Sequence, residues 1–456
     1  MNAAGADRHV VVVGGGISGL AAAYAVRRAL PAVRITVVEE SPRLGGKLLT
    51  GELGGATVET GADNWLAKVP EATRLARRVG LGDALVAPAT GQAWVWVDDR
   101  LRPLPTGTVR GVPARLWPLL RSRVLSPGGF ARAALEPWLP GAPVTEPATV
   151  ADVVSRRLGR QVVDRLVEPL LGGVYAGRAD DLDLDAAAPD LAALAREHRS
   201  LVRAARARPP ASDGPVFHSV AGGMTAFVDA VADAAGVEVL ARTRAATVER
   251  LSGAFRVTLA GGRALIADGV VVAVPGKPAA RLLELVTPAA AAPLRDLSYA
   301  SVALVGLAYR RADLPPGSGI LVPPGRRLVK AVTFYGQKWP HAATSGLTLL
   351  RASVGRAGEP VTLDDADLVA AVHAELAPLL KLAARPADAF VARWDDALPQ
   401  YAVGHLDRVG TVEAAVEAVP GLAVAGAAYR GVGIAACVRS GEAAGARVAE
   451  HVRARG

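Results

Sequence analysis

One cysteine in 456 residues, Cys437, leaves no partner for an internal disulfide, which suits a reducing compartment. No uninterrupted apolar run reaches the length of a membrane-spanning helix. The opening stretch MNAAGADRHV has no basic segment leading into an apolar one, so no secretory signal is read and a cytoplasmic location is expected. The seven histidines (His9, His198, His218, His341, His373, His405, His451) form no HxH or HxxxH set, so no metal site is expected. A GxSxG nucleophile elbow is also missing. There is no internal repeat and no low-complexity linker.

Basic residues exceed acidic ones, giving a formal net charge of +9. Nucleic acid, a membrane surface and an acidic small substrate are the three partners such a charge suggests. The arginines are scattered through Ala-rich segments without a Lys/Arg block or interleaved aromatics, so no nucleic-acid partner is expected. Hydrophobic residues make up 51% of the chain, much of it Ala and Val, as in packed α/β structure.

From His9 to Val38 the pattern is strand, glycine turn, helix, strand. Val10–Val13 is a continuous β-branched run suited to a parallel strand buried on both faces. A helix over Leu20–Leu30 stops at Pro31, and Ile35–Val38 is the second strand. WVWVDDRLRPLP, from Trp94 to Pro105, reads as a hairpin turning at Asp98 and Asp99. From Gly111 to Pro209 the chain is helical and ends in one basic amphipathic helix, LAALAREHRSLVRAARARPP, closed by a double proline. Beyond it come a strand, a glycine turn, a helix and another strand, then strands over Ala246–Val257 and Val270–Val274. Between Asp296 and Phe390 strands alternate with turns, interrupted by the helix DADLVAAVHAELAPLL, which suggests a second, mostly antiparallel sheet. The last sixty residues return to strand, glycine turn and helix.

The first βαβ unit carries Gly14, Gly16 and Gly19 as GxGxxG. The first glycine allows the tight turn, the second a close approach of backbone to pyrophosphate, and the third close helix–strand packing. The helix N-terminus, with Gly15, Ile17 and Ser18, offers free N–H groups to the phosphates. Glu39 ends the second strand, placed to accept hydrogen bonds from ribose hydroxyls. The site binds a dinucleotide. SPRLGGKLLT follows, with Arg43, Gly45, Gly46 and Lys47, and reads as a second loop folding over the pyrophosphate. Dehydrogenases with an exchanging nicotinamide have no general need of it, so it favours a tightly held flavin. ETGADNWL, with Gly61, Ala62, Asp63 and Asn64, offers backbone donors close to a ring. AGAAYRGVGIAACVRSG supplies a further helix N-terminus that could stabilise negative charge on a reduced flavin.

These stretches, with EPLLGGVYAG, HSVAGGM and RWDDALPQYAVGHL, resemble the oxygen-dependent porphyrinogen oxidases of haem biosynthesis, within the flavin monoamine oxidase-like superfamily. The resemblance covers nearly the whole chain in the right order. It implies an α/β (α+β) fold with three parts. A discontinuous Rossmann-like FAD-binding domain would take 1–86, 210–295 and 391–456. An antiparallel-sheet substrate domain would take 87–110 and 296–390, and a helical domain 111–209, a part that some members use to touch membranes. It further implies FAD contacts at Gly14–Gly19, Glu39, Glu40, Gly46, Lys47 and Gly61–Asn64, with the Val248 backbone at the adenine. Trp394 would lie near the ring, and Val432, Gly433 and Ile434 beneath it. Two departures stand out. Ala62 replaces a proline usual in the family, and Ala93 and Trp94 stand where some members place a basic residue for a substrate propionate.

The expected reaction is oxidation of coproporphyrinogen III to coproporphyrin III, with O2 reduced to H2O2. Protoporphyrinogen IX is the alternative substrate. The flavin carries the chemistry, so no protein base is assigned. The basic charge and the lack of an apolar anchor favour the substrate with four propionates over the one with two. Lys68, His405 and Arg408 are the candidate propionate contacts, His405 and Arg408 being equally suited to holding their loop. Product transfer to a downstream ferrochelatase and a peripheral membrane contact are further expectations. The rival enzyme is a flavin amine oxidase, which calls for an aromatic pair at the flavin; the C-terminal loop offers only Tyr429. A flavin-bearing structural protein without turnover and a peripheral membrane binder are the rivals outside enzymology.

Overall fold

The computed structural model describes residues 8–141, 143–208, 214–325, 327–343 and 346–455. Pro209 and Pro210, expected to close the basic helix, lie outside them, as does the border at 209/210 and most of MNAAGADRHV.

Five parallel strands form the first sheet, in the order Glu238–Leu240, Arg34–Val38, His9–Val13, Gly269–Val272, Leu422–Val424. The run Val10–Val13 lies at its centre and is buried. Alternate side chains of a strand face opposite ways, and here both faces are covered. Val10 and Val12 join a core with the helices Ile17–Ala29, Gly223–Ala235 and Ile434–Ala454. Val11 and Val13 join another with Val248, Val257, Leu283 and Val409. The first and last helices pack backbone to backbone. A Cβ on Gly441 would stand 2.1 Å from the Ser18 carbonyl oxygen, and one on Gly445 2.2 Å from that of Ala22.

The second sheet has seven strands, in the order Asp388–Pro399, Tyr299–Arg310, Leu347–Val354, Val329–Phe334, Gly319–Leu321, Ala93–Val97, Arg100–Pro103. Only the pair Gly319–Leu321 with Ala93–Val97 is parallel. The helix Asp365–Leu380 covers one face through Leu368, Val372, Leu376 and Leu380, the four-residue spacing of a single helix stripe. Trp96 faces that core, whereas its neighbours Val95 and Val97 face the helical region and join Leu158, Leu166 and Leu191 there. The outermost strand, Asp388–Pro399, runs across the expected border at 390/391, so Trp394 is carried by this sheet.

Two elements differ from their expected form. Ala246–Val257 is a hairpin of Ala245–Arg250 and Phe255–Leu259, because Ser252 and Gly253 (φ +85°) turn the chain and Leu251 N–H bonds to the Ala254 carbonyl. The basic amphipathic helix is two helices, Pro189–Glu197 and Leu201–Ala207. His198 ends one and Ser200 caps the other, accepting from Arg203 N–H at 3.1 Å. The buried Glu136 carboxylate accepts from Ser200 Oγ and Leu201 N–H, both at 2.6 Å.

Candidate functional site

The nucleotide cradle forms where the central strand meets its helix. Gly14 has φ +105°, and a Cβ there would stand 2.5 Å from the Ala273 carbonyl oxygen, so only glycine makes this turn. A Cβ on Gly19 would stand 1.9 Å from the Gly14 carbonyl oxygen. A Cβ on Gly16 would meet nothing within 4 Å, so the space beside the helix N-terminus is open where a pyrophosphate needs it. No acidic side chain occupies the first turn of Ile17–Ala29 and no side chain caps it, which leaves its N–H groups for an anion. The second loop lies against the first, with Gly45 N–H bonded to the Gly15 carbonyl at 2.8 Å.

Glu39 reaches this cradle, its carboxylate accepting from Gly15 N–H at 2.7 Å and Ser41 N–H at 2.8 Å. Glu40 is exposed beside it. The segment leading to Val248 is tied to the same corner by Thr243 N–H to the Glu39 carbonyl and Arg242 N–H to that of Ser41, both at 2.9 Å. Arg43 folds back on its own loop, donating to the carbonyls of Leu44, Gly46 and Leu48, and lies 5.9 Å from the Trp394 ring. Burial pushes the Lys47 ammonium down and the Cys437 thiol up, and the two groups are neighbours near Ser18.

The loop Thr60–Asn64 is gripped through its carbonyls. Trp394 Nε1 donates to the Thr60 oxygen at 2.7 Å and Ser219 Oγ to that of Asp63 at 2.7 Å. Arg351 donates to the carbonyls of Glu59 at 2.8 Å and Gly61 at 3.2 Å. The Asp63 carboxylate points away from the cradle to Arg351 (3.0 Å), Lys338 (2.8 Å) and Trp339 Nε1 (3.2 Å). Burial alone would raise its pKa, but Arg351 and Lys338 hold it well below the usual carboxylate range. Only the backbone of Asp63 is therefore left for a cofactor. Ala62 is exposed and its N–H bonds to the Lys47 carbonyl at 3.1 Å.

At the other end, Tyr401 fixes the C-terminal glycine turn, accepting from Gly431 N–H and donating to the Ala427 carbonyl, both at 2.7 Å. Gly433 caps Ile434–Ala454, whose first turn holds no acid. Val432 packs against the cluster containing Leu171 and Tyr175, while Gly173 and Val174 on that same helix are exposed.

The proposed propionate contacts fall in different settings. His405 is 1% exposed, stacks on Tyr401 at 3.8 Å between ring centres, and bonds through Nε2 to the Tyr429 carbonyl at 2.7 Å. Burial pushes its pKa down. It offers no open face to a substrate and holds the C-terminal loop instead. Arg408 is half-buried in the same helix. Lys68 is exposed and near Asp190, which also pairs with Arg110 and, at 3.7 Å, Arg208. Arg110, Arg351 and Lys338 carried no recognisable sequence signal, while Tyr401 and Arg208 lay in quoted stretches without a role assigned. Among the described residues no group of three or more His, Cys, Asp and Glu is arranged to hold a metal.

Residues 17–449 match the flavin containing amine oxidoreductases, and the chain belongs to that family. Its cofactor is FAD, and the open cradle, the Glu39 carboxylate and the two uncapped helix N-termini fit that dinucleotide. Within the family, the chain is 34% identical to the coproporphyrinogen III oxidase of Bacillus subtilis, over 96% of this chain and 97% of that one. It is 38% identical to the coproporphyrinogen III oxidase of Mycobacterium leprae, over 95% and 96%. A crystal structure from Exiguobacterium sp. 255-15, provisionally named protoporphyrinogen oxidase, superposes with a TM-score of 0.88 at 32% identity, over 97% of this chain and 99% of that one.

Proposed function

We propose that this protein is an FAD-dependent oxidase converting coproporphyrinogen III to coproporphyrin III with O2 as acceptor and H2O2 as by-product, in haem biosynthesis. The observation that carries the reading is end-to-end similarity to enzymes of that name. Bound FAD supplies a two-electron acceptor that O2 can regenerate, and repeated rounds remove the six electrons separating a porphyrinogen from its porphyrin.

The chain's own residues bind and orient. The ribose and pyrophosphate fall to Glu39 and the N-terminus of Ile17–Ala29, with Gly46 and Lys47 on the covering loop. Gly61–Asn64, Trp394, Val432, Gly433 and Ile434 would hold the ring. The uncapped N-terminus of Ile434–Ala454 favours negative charge there. Protons released from the pyrroles pass to solvent, so no protein base is required. Lys68, Arg110 and Arg208 surround one carboxylate, Asp190, and this excess of positive charge supports the substrate with four propionates over protoporphyrinogen IX. The amine oxidase reading gains no support, because Tyr429 is 3% exposed and cannot face a substrate.

Two associations complete the proposal. No helix among the described residues is long and apolar enough to cross a membrane. The helical part nevertheless exposes the large apolar side chains of Trp117, Leu120, Leu135 and Trp138, which would suit peripheral contact with a bilayer from the cytoplasm. The product would pass to a ferrochelatase. Sedimentation with liposomes at low and high salt tests the first association.

The reading itself is tested by mixing the yellow protein with coproporphyrinogen III under argon. Bleaching of the flavin, reversed by air with porphyrin fluorescence appearing, is the expected result. A flavin that stays oxidised overturns it.

A further inference from the structure

We propose that Arg351 is a positioning residue for the flavin: reaching from the antiparallel sheet, it sets the loop Thr60–Asn64 and thereby the cofactor's redox behaviour. Arg351 is 9% exposed in the strand Leu347–Val354, opposite Gly306 and Thr333 of the neighbouring strands. Its guanidinium makes three bonds to one short loop: the Glu59 carbonyl, the Gly61 carbonyl and the Asp63 carboxylate. Lys338 and Trp339, also from the substrate half, complete the grip on Asp63, and Trp394 takes the Thr60 carbonyl. The nucleotide-binding half holds the same loop through Ser219 at the Asp63 carbonyl and through the Leu49 and Lys47 carbonyls, which accept from Thr60 and Ala62 N–H.

The direction of these bonds matters. In a trans peptide the N–H points opposite to the preceding carbonyl. Holding the Thr60 and Asp63 carbonyls therefore aims the Gly61 and Asn64 N–H groups the other way, and neither finds an acceptor among the described residues. These are the donors the loop can offer to the flavin ring. Donors fixed at a ring edge stabilise the charge of its reduced form, so their aim sets a potential as well as an affinity. A planar fork with several donors in fixed directions holds two carbonyls and a carboxylate in one set geometry; an ammonium, whose three donors turn about a single atom, does not fix their directions.

The proposal rests on the FAD assignment and not on the porphyrinogen reading, so its test uses no porphyrinogen. Arg351→Lys, and the double variant Arg351→Gln/Asp63→Asn, which removes both charges of that pair together, are purified with FAD. Their flavin spectra, midpoint potentials and FAD dissociation constants are compared with those of the parent. The expected result is a shifted potential and altered spectrum in both, with dissociation constants raised about tenfold in the double variant. Lys338→Met, which removes one contact to Asp63 and leaves Arg351 in place, should shift the potential less. Unchanged potential and spectrum in Arg351→Lys and the folded double variant would overturn the proposal, as would a potential that follows Lys338 alone.

Discussion

Glu59 offers a test of how the core near the cofactor loop responds to pH. It is 4% exposed, and burial pushes its carboxyl from the ordinary 4.5 up to about 7, against hydrogen bonds from Met224 N–H (2.9 Å) and Thr50 Oγ1 (3.1 Å) and the nearby Arg351 charge. The folded chain thus keeps this proton at pH values where the unfolded chain has released it. The folded state binds more protons, so unfolding free energy falls as pH rises from about 4.5 to about 7 and then levels. At 1.36 kcal/mol per pH unit, the loss is ~3 kcal/mol. Glu59→Gln copies the protonated shape, keeps an acceptor for Met224 N–H and removes the titration. Urea unfolding of both proteins, FAD-saturated, between pH 4.5 and 8 should show the variant gaining ~3 kcal/mol on the parent across that window. Two profiles that run parallel would refute the reasoning.

Other consequences are as direct. Gly19→Val drives a side chain into the Gly14 carbonyl, and the protein should purify colourless, without bound FAD. Gly441→Leu separates the first and last helices and should lower stability by ~2 kcal/mol or more, read from the urea midpoint. Glu136→Gln weakens the charged cap over Ser200 and Leu201 and should cost ~1–2 kcal/mol, with faster hydrogen exchange confined to the helix Leu201–Ala207. Lys68→Glu should raise KM for coproporphyrinogen III roughly tenfold and leave kcat within about twofold, a split visible in steady-state kinetics.

What was legible in the sequence is what short-range geometry dictates. The glycines at 14, 16 and 19 each have a distinct steric reason, and Asp98 and Asp99 turn their hairpin with φ of 51° and 55°. The β-branched run Val10–Val13 could only be a strand covered on both sides. The hidden parts depend on distant contacts. Arg351 and Gly61 are 290 residues apart, and nothing near either shows that they meet. Asp63 reads as a cofactor ligand in its local motif, yet its carboxylate is taken by Arg351, Lys338 and Trp339. His405 reads equally as a substrate contact or a loop anchor until its ring is seen stacked on Tyr401. The single basic helix hid a capped break at Ser200 because Glu136, which satisfies it, lies 64 residues earlier.

The most direct measurement is oxygen uptake with porphyrin fluorescence, coproporphyrinogen III and protoporphyrinogen IX being supplied separately to the purified flavoprotein. The account predicts about three O2 consumed per porphyrin formed, with kcat/KM clearly higher for coproporphyrinogen III. Preference for protoporphyrinogen IX would contradict the role given to the cations around Asp190, and turnover of neither would contradict the central claim.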